Sequence, residues 1–157
     1  LNRHSMPADL QFTGAMTVKV RTLACLHQSQ IVPADAGLLK IDTEGFDLEV
    51  IRGMGDHRYP VVAAEFWDTT IPFALDGQSY TLQCLVQQMK SMGYCWPIVV
   101  YRIWGTNHIA YYCNYDRPIP SSWGNVFFFR EYDLFSRGHE WCSAVLPRTY
   151  FRPAEVR

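Results

Sequence analysis

Leu39-Lys40-Ile41-Asp42-Thr43-Glu44-Gly45-Phe46-Asp47-Leu48-Glu49-Val50-Ile51-Arg52-Gly53 decides the fold of this chain, because the apolar pattern changes period inside it. Leu38, Leu39 and Ile41 make a short apolar run ending in the carboxylate of Asp42, which reads as a strand. Thr43-Glu44-Gly45 reads as the turn that follows, with Gly45 there to let the backbone turn tightly. Phe46, Val50, Ile51 and Met54 then recur at helical spacing before Gly53 and Gly55 weaken and end the helix. Val61-Val62-Ala63-Ala64-Glu65-Phe66 is nearly continuous in its apolar character, as expected of a strand covered on both faces. Strand, helix and strand in that order make a βαβ unit.

Upstream of this unit, Thr17 to Leu23 alternate apolar and polar residues, with Val18 and Val20 on one face, as in a half-buried strand. His27 to Gly37 is polar, with Pro33 and Gly37 as breakers, and reads as a connection. Downstream, Ser79 is the expected N-cap of a helix whose apolar face uses Leu82, Leu85, Val86, Met89 and Met92, and Gly93 is placed to terminate it. Three further strands are predicted over Ile98 to Trp104, Ile109 to Cys113 and Val126 to Arg130. The whole predicts an open α/β sheet with helices on both faces, parallel strands first and antiparallel strands last.

Composition narrows the function. A chain of 157 residues with 48% hydrophobic and 15% aromatic content suits one globular domain. A formal net charge of -1, with acids and bases interspersed, makes no basic surface for phosphates or anionic lipid, so neither nucleic acid nor membrane is an expected partner. Apolar stretches such as Ile98 to Tyr101 fall far short of the roughly 20 residues of a spanning helix. Leu1-Asn2-Arg3-His4-Ser5, with neither initiator Met nor signal-peptide pattern, reads as an internal cut. Cys25, Cys84, Cys95, Cys113 and Cys142 never form C-x-x-C and read as reduced thiols, which points to a cytoplasmic location. His27, His57, His108 and His139 share no metal-ligand spacing and read as surface or turn residues, so no metal is expected.

In open α/β sheets ligands bind beyond the carboxyl ends of the strands. That rule singles out Asp42, Thr43 and Glu44 at one strand end, and Glu65, Trp67 and Asp68 at the next. Each has a plainer alternative. Asp42 would serve as a helix N-cap, and Glu44 as a favourable charge at the helix start. Asp47 and Glu49 read as the solvated face of the helix. Glu65 ends an apolar strand and must be hydrogen-bonded, paired or open to the crevice. Trp96, Tyr101, Trp104, Tyr111, Tyr112 and Phe127 to Phe129 either line an acceptor pocket or pack the strands.

The segment Leu39 to Gly53 resembles the K-I-D-x-E-G-x-E-x-x-V-L-x-G signature of FkbM-type S-adenosylmethionine-dependent methyltransferases. Val18 to Leu23 is similar to the strand before that signature, Pro60 to Glu65 to the strand after it, Met92-Gly93-Tyr94 to a helix end, and Asn125 to Phe129 to the last sheet strand. The resemblance implies a partial Rossmann-like class I methyltransferase fold, in which residues 1–136 are the carboxy-terminal portion of the domain. Residues 137–157, with Arg137, Arg148, Arg152 and Arg157, follow as a basic tail. It implies methyl transfer to the hydroxyl of a small-molecule acceptor such as a sugar, lipid or polyketide. Asp42 and Thr43 would lie beside the cofactor, and Asp42, Glu44 and Glu65 would carry the catalysis.

Two departures qualify this expectation. Ala24 stands where the family usually carries Asp. No glycine-rich strand-to-helix turn precedes Thr17, so the polypeptide alone is expected to bind S-adenosylmethionine poorly and to be inactive by itself. The family's sheet order would also leave the strand at Leu38 to Ile41 with a bare edge, from which self-association is expected. Two other readings remain: a non-catalytic interaction module derived from a methyltransferase, and a nucleotide-sugar transferase segment using Asp42 and Glu65 with a divalent cation. The absence of a close D-x-D pair argues against the latter.

Overall fold

The computed structural model describes residues 14–71 and 80–146. Its elements are α1 (Leu23–Gln28), β1 (Leu38–Lys40), α2 (Asp47–Arg52), β2 (Val61–Trp67), α3 (Leu82–Ser91), β3 (Trp96–Ile103), β4 (Ile109–Cys113), β5 (Ser122–Phe129) and α4 (Tyr132–Val145). The five strands form one sheet in the order β1-β2-β5-β3-β4. Only β1 and β2 are parallel neighbours, with Leu38 opposite Val61 and Lys40 opposite Ala63. β5 runs antiparallel to both β2 and β3, and β4 antiparallel to β3. The chain is thus a mixed α/β structure in which the expected β-α-β unit is β1-α2-β2.

Alternation along the strands sorts their side chains onto two faces. Val62, Ala64 and Phe66 of β2, Val99 and Tyr101 of β3 and Val126 and Phe128 of β5 pack beneath α2 and α3, against Leu48, Ile51, Leu85 and Met89. On the opposite face Ile98, Tyr111, Cys113 and Phe129 pack against Phe135 and Cys142 of α4. Helices therefore cover both faces, as the nearly unbroken apolar run of β2 predicts. Leu82, Leu85, Val86 and Met89 are the buried side of α3, Thr81 caps its start by accepting from the Cys84 amide at 3.3 Å, and Gly93 follows its end at φ +89°. Ser79, the expected cap, lies outside the described residues.

The strand expected over Thr17 to Leu23 does not form. Residues 17–22 make no sheet ladder, and Val18 and Val20 are 67% and 87% exposed. An alternating pattern specifies a strand only where a neighbouring edge pairs with it. Instead Thr22 accepts from the Cys25 amide and starts α1, whose Leu-Ala-Cys-Leu run tolerates a helix. This helix docks on the loop after α2: the Ala24 amide donates to Gly53 O at 2.9 Å, and the His27 ring stacks on His57 with centroids 3.5 Å apart. The His27 Nε2 also shares a 2.7 Å hydrogen bond with the Tyr59 hydroxyl. His27 and His57 thus form a packed junction between elements rather than simple surface positions. The basic tail expected from residue 137 is helical up to Val145, since α4 runs across that boundary and buries Cys142 on the sheet.

Gly124, the third residue of β5, makes the tightest approach among the described glycines. A Cβ placed there would lie 2.2 Å from Val100 O and 3.0 Å from Tyr101 Cα, both backbone atoms of β3. Gly124→Ala is expected to cost about 2–3 kcal/mol in denaturant unfolding, because backbone in a central strand has nowhere to move. A loss below about 0.5 kcal/mol would mean that the β3–β5 register differs from the one described.

Candidate functional site

The parallel strands separate at their carboxyl ends, and the residues found there depend on one side chain. The last rung between β1 and β2 is the Ile41 amide donating to Ala63 O at 2.7 Å. Beyond it the Asp47 carboxylate enters from the start of α2. Its Oδ1 accepts from the Thr43 amide at 3.0 Å and from the Thr43 hydroxyl, and its Oδ2 accepts from the Glu65 amide at 2.8 Å. Asp47 is completely buried, which reverses the expectation of a solvated helix face. A buried carboxylate is tolerable because three donors satisfy it and because it sits in the first turn of a helix, where negative charge is favoured. Tyr80, 5% exposed, closes the far side, its hydroxyl in hydrogen-bonding contact with the Asp47 backbone; burial, then the Asp47 charge, push that phenol well above its ordinary range.

Clamping both strand ends brings the expected carboxylates together. One oxygen each from Asp42, Glu44 and Glu65 lie within 4.8 Å of one another. Glu44 reaches the cluster from a left-handed backbone at φ +52°, followed by Gly45 at φ +106°. A non-glycine residue there costs on the order of 1 kcal/mol, and Gly45 relieves the next position of the same cost. Asp42 is exposed and pairs with Lys40 at 3.2 Å; it does not cap α2, whose N-cap position, Phe46, makes no side-chain cap bond. Glu65 is half-buried and accepts from the Trp67 indole. Burial pushes its carboxyl above the usual range, and the Asp42, Glu44 and Asp47 charges add to that shift.

Asp68 stands apart from this cluster. Its carboxylate accepts from the Ser121 amide at 2.6 Å and from the Thr70 hydroxyl, so it ties the turn after β2 to the residue that precedes β5. The aromatic candidates divide. Tyr101, Tyr111, Tyr112 and Phe128 are core residues, whereas Trp104 is 48% exposed and lines a pocket of about 320 Å³ with Arg102 and Trp123. Trp67, Trp123 and Arg102 are in register across β2, β5 and β3, and the Arg102 guanidinium lies 5.7 Å from the Trp123 ring centre. This second group shares the strand end that carries Glu65.

Chemically, the cluster offers acceptors and negative charge. A hydroxyl could donate to it and a cationic centre would be attracted, and burial raises the proton affinity of the Glu65 carboxylate. Three carboxylate oxygens at this spacing could also ligate a hard divalent cation. Asp47, overlooked as a site residue, occupies the second acidic position of the E-G-x-E signature, and that placement was the available signal.

The shift at Glu65 has a definite sign. With its folded pKa raised above the unfolded value, the stability contributed by its protonated form is fully present below the unfolded pKa of about 4.3 and is lost as pH rises through the raised value. Glu65→Gln, which cannot ionise, is therefore expected to raise the melting temperature at pH 8 and to leave it nearly unchanged at pH 4. Melts showing no pH-dependent difference would rule out a strained charge at this position.

Comparison of the chain with family models, with curated proteins and with solved structures finds no match.

Proposed function

We propose that this chain is the carboxy-terminal, acceptor-side half of an S-adenosylmethionine-dependent O-methyltransferase with a Rossmann-like sheet. The observation that carries this is the convergence of Asp42, Glu44 and Glu65 within 4.8 Å at the carboxyl end of the parallel β1–β2 pair. The parallel β1–β2 pair, continued in the sheet by the antiparallel ladders of β5, supports this reading.

The donor set suits such a cofactor, since carboxylates complement both a sulfonium charge and hydroxyl groups. When bound, S-adenosylmethionine would supply the electrophilic methyl carbon. Asp42 and Thr43 would hold its amino-acid end. Glu44 would orient the acceptor hydroxyl, and Glu65 would take the hydroxyl proton as the oxygen bonds to the methyl carbon and the carbon–sulfur bond breaks, the bonding pair leaving with the now neutral thioether sulfur. Asp47 serves by position: it fixes the two loops that present these groups. Alignment and proton removal are the main contributions a protein makes to such a displacement.

The same cluster favours a second reading, in which Asp42, Glu44 and Glu65 bind a divalent cation in a transferase of another class. Calorimetry separates the two. S-adenosylmethionine is expected to bind a longer polypeptide that adds a glycine-rich half upstream and not this chain alone. In the longer protein Glu65→Gln should lower kcat by about 100-fold or more while leaving cofactor affinity within about twofold. Tight Mg²⁺ binding by the wild-type chain, abolished by Glu65→Gln, would favour the cation reading. Binding of neither ligand by either protein would leave a non-catalytic module.

A further inference from the structure

Arg102, Trp104 and Trp123 wall an open pocket of about 320 Å³ together with the turn residues Gly105, Thr106 and Asn107. The turn is fixed by its own hydrogen bonds. The Thr106 amide and hydroxyl both donate to Ile103 O, at 3.2 and 2.9 Å, and the Thr106 hydroxyl oxygen accepts from the His108 amide at 3.1 Å. The Trp104 amide donates to Ser121 O at 2.8 Å, which ties the turn to the residue before β5. Arg102 is exposed, holds its guanidinium 5.7 Å from the Trp123 ring centre and, among the described residues, forms no ion pair. Trp67 lies on the other side of Trp123 with ring centres 6.2 Å apart, and its indole donates to Glu65. A row of rings thus runs from the acidic cluster to a single cation.

We propose that this pocket binds a small aromatic carboxylate, its ring against the Trp104 and Trp123 indoles and its carboxylate on the Arg102 guanidinium. Each half of the ligand follows from a lining group. Indoles pack planar rings by offset and edge contacts. A guanidinium beside an indole keeps its N–H fork free at the edge, and that fork matches the two oxygens of a carboxylate. The volume stands at the lower end of ligand pockets and suits a molecule of one or two rings. Charge sets the valence and the direction of binding. One guanidinium balances one negative charge, and the carboxylates of Asp42, Glu44 and Glu65 repel an anion from the other end of the row. Two strands and two residues separate Glu65 from Arg102, about 12 Å of ideal sheet, so the bound carboxylate stays clear of the acids while the ring points toward them. The proposal stands on the pocket alone and holds whether the acidic cluster serves methyl transfer or a cation.

Titration of the whole chain with 2-naphthoate, followed by NMR at the tryptophan indole N–H groups, tests it. Saturable shifts are expected at Trp104 and Trp123, with a Kd below about 1 mM. Neutral 2-naphthamide should bind about tenfold more weakly, because it cannot use the charge of the guanidinium. Arg102→Gln should weaken naphthoate binding about tenfold and leave naphthamide within about twofold, a split that a loosened turn would not produce. Trp104→Ala should weaken both compounds without altering the circular dichroism melt, since that indole is 48% exposed. No saturable shift up to about 10 mM naphthoate overturns the proposal, as does equal affinity for the acid and the amide. Shifts confined to Trp141 would overturn it too, placing the ring in the apolar groove beside α4.

Discussion

The hydrogen bonds of the Asp47 carboxylate set the geometry of the end of the sheet where the acidic residues gather. Two parallel strands that diverge leave backbone amides with no ladder partner, and a buried amide without a partner costs about 1–3 kcal/mol. Here the amides of Thr43 and Glu65 are that pair, and one buried side chain takes both. Because Asp47 also begins α2, the helix, the Thr43 turn and the end of β2 become one unit. The left-handed backbone at Glu44 and the approach of the three carboxylates then follow from where that unit holds the chain. Removing the clamp would release the turn and Glu65 together, although Asp47 itself points away from solvent.

The sheet separates chemistry from packing by strand end. The carboxylates, Trp67, Trp123 and Arg102 lie where the parallel strands end, while α4 covers part of one face and leaves a groove beside it. Gly124 makes this compatible with a continuous sheet. It lets β5, last among the strands in sequence, lie tightly against β3, and it directs Trp123 and Asn125 to the face shared with Glu65. The apolar face over α2 and α3 is closed and makes up the main core, so changes at the acidic end need not disturb it.

Elements whose burial is dictated by their own periodicity were legible in the sequence. The apolar stripe of α3, the strand runs around Ile98, Ile109 and Val126 and the β1-α2-β2 unit all follow from spacing, and Asp42, Glu44 and Glu65 could be placed at strand ends from the same pattern. What could not be read depends on partners distant along the chain. Thr17 to Leu23 has a strand's alternation but no edge to pair with, so Thr22 caps a helix instead. Asp47 looks like any acid on a solvated helix face, and one of the donors that make its burial favourable, the Glu65 amide, lies 18 residues away. The stacking of His27 on His57 likewise arises from the docking of α1, which no local pattern encodes. The FkbM-type resemblance pointed to the acidic loop, while the identity of a methyl acceptor is carried by no residue pattern in it.

Amide hydrogen exchange measured by NMR at Thr43 and Glu65, in the wild type and in Asp47→Asn, tests this account most directly. If Asp47 clamps the two strand ends, both amides exchange slowly and with the same opening free energy in the wild type. The Asn variant, which keeps one acceptor oxygen and turns an amino group toward a donor, should lose protection at the two sites while the amides of α3 and β5 stay protected. Fast exchange at either amide in the wild type, or protection that survives the substitution, would contradict the claim that this carboxylate organises the site.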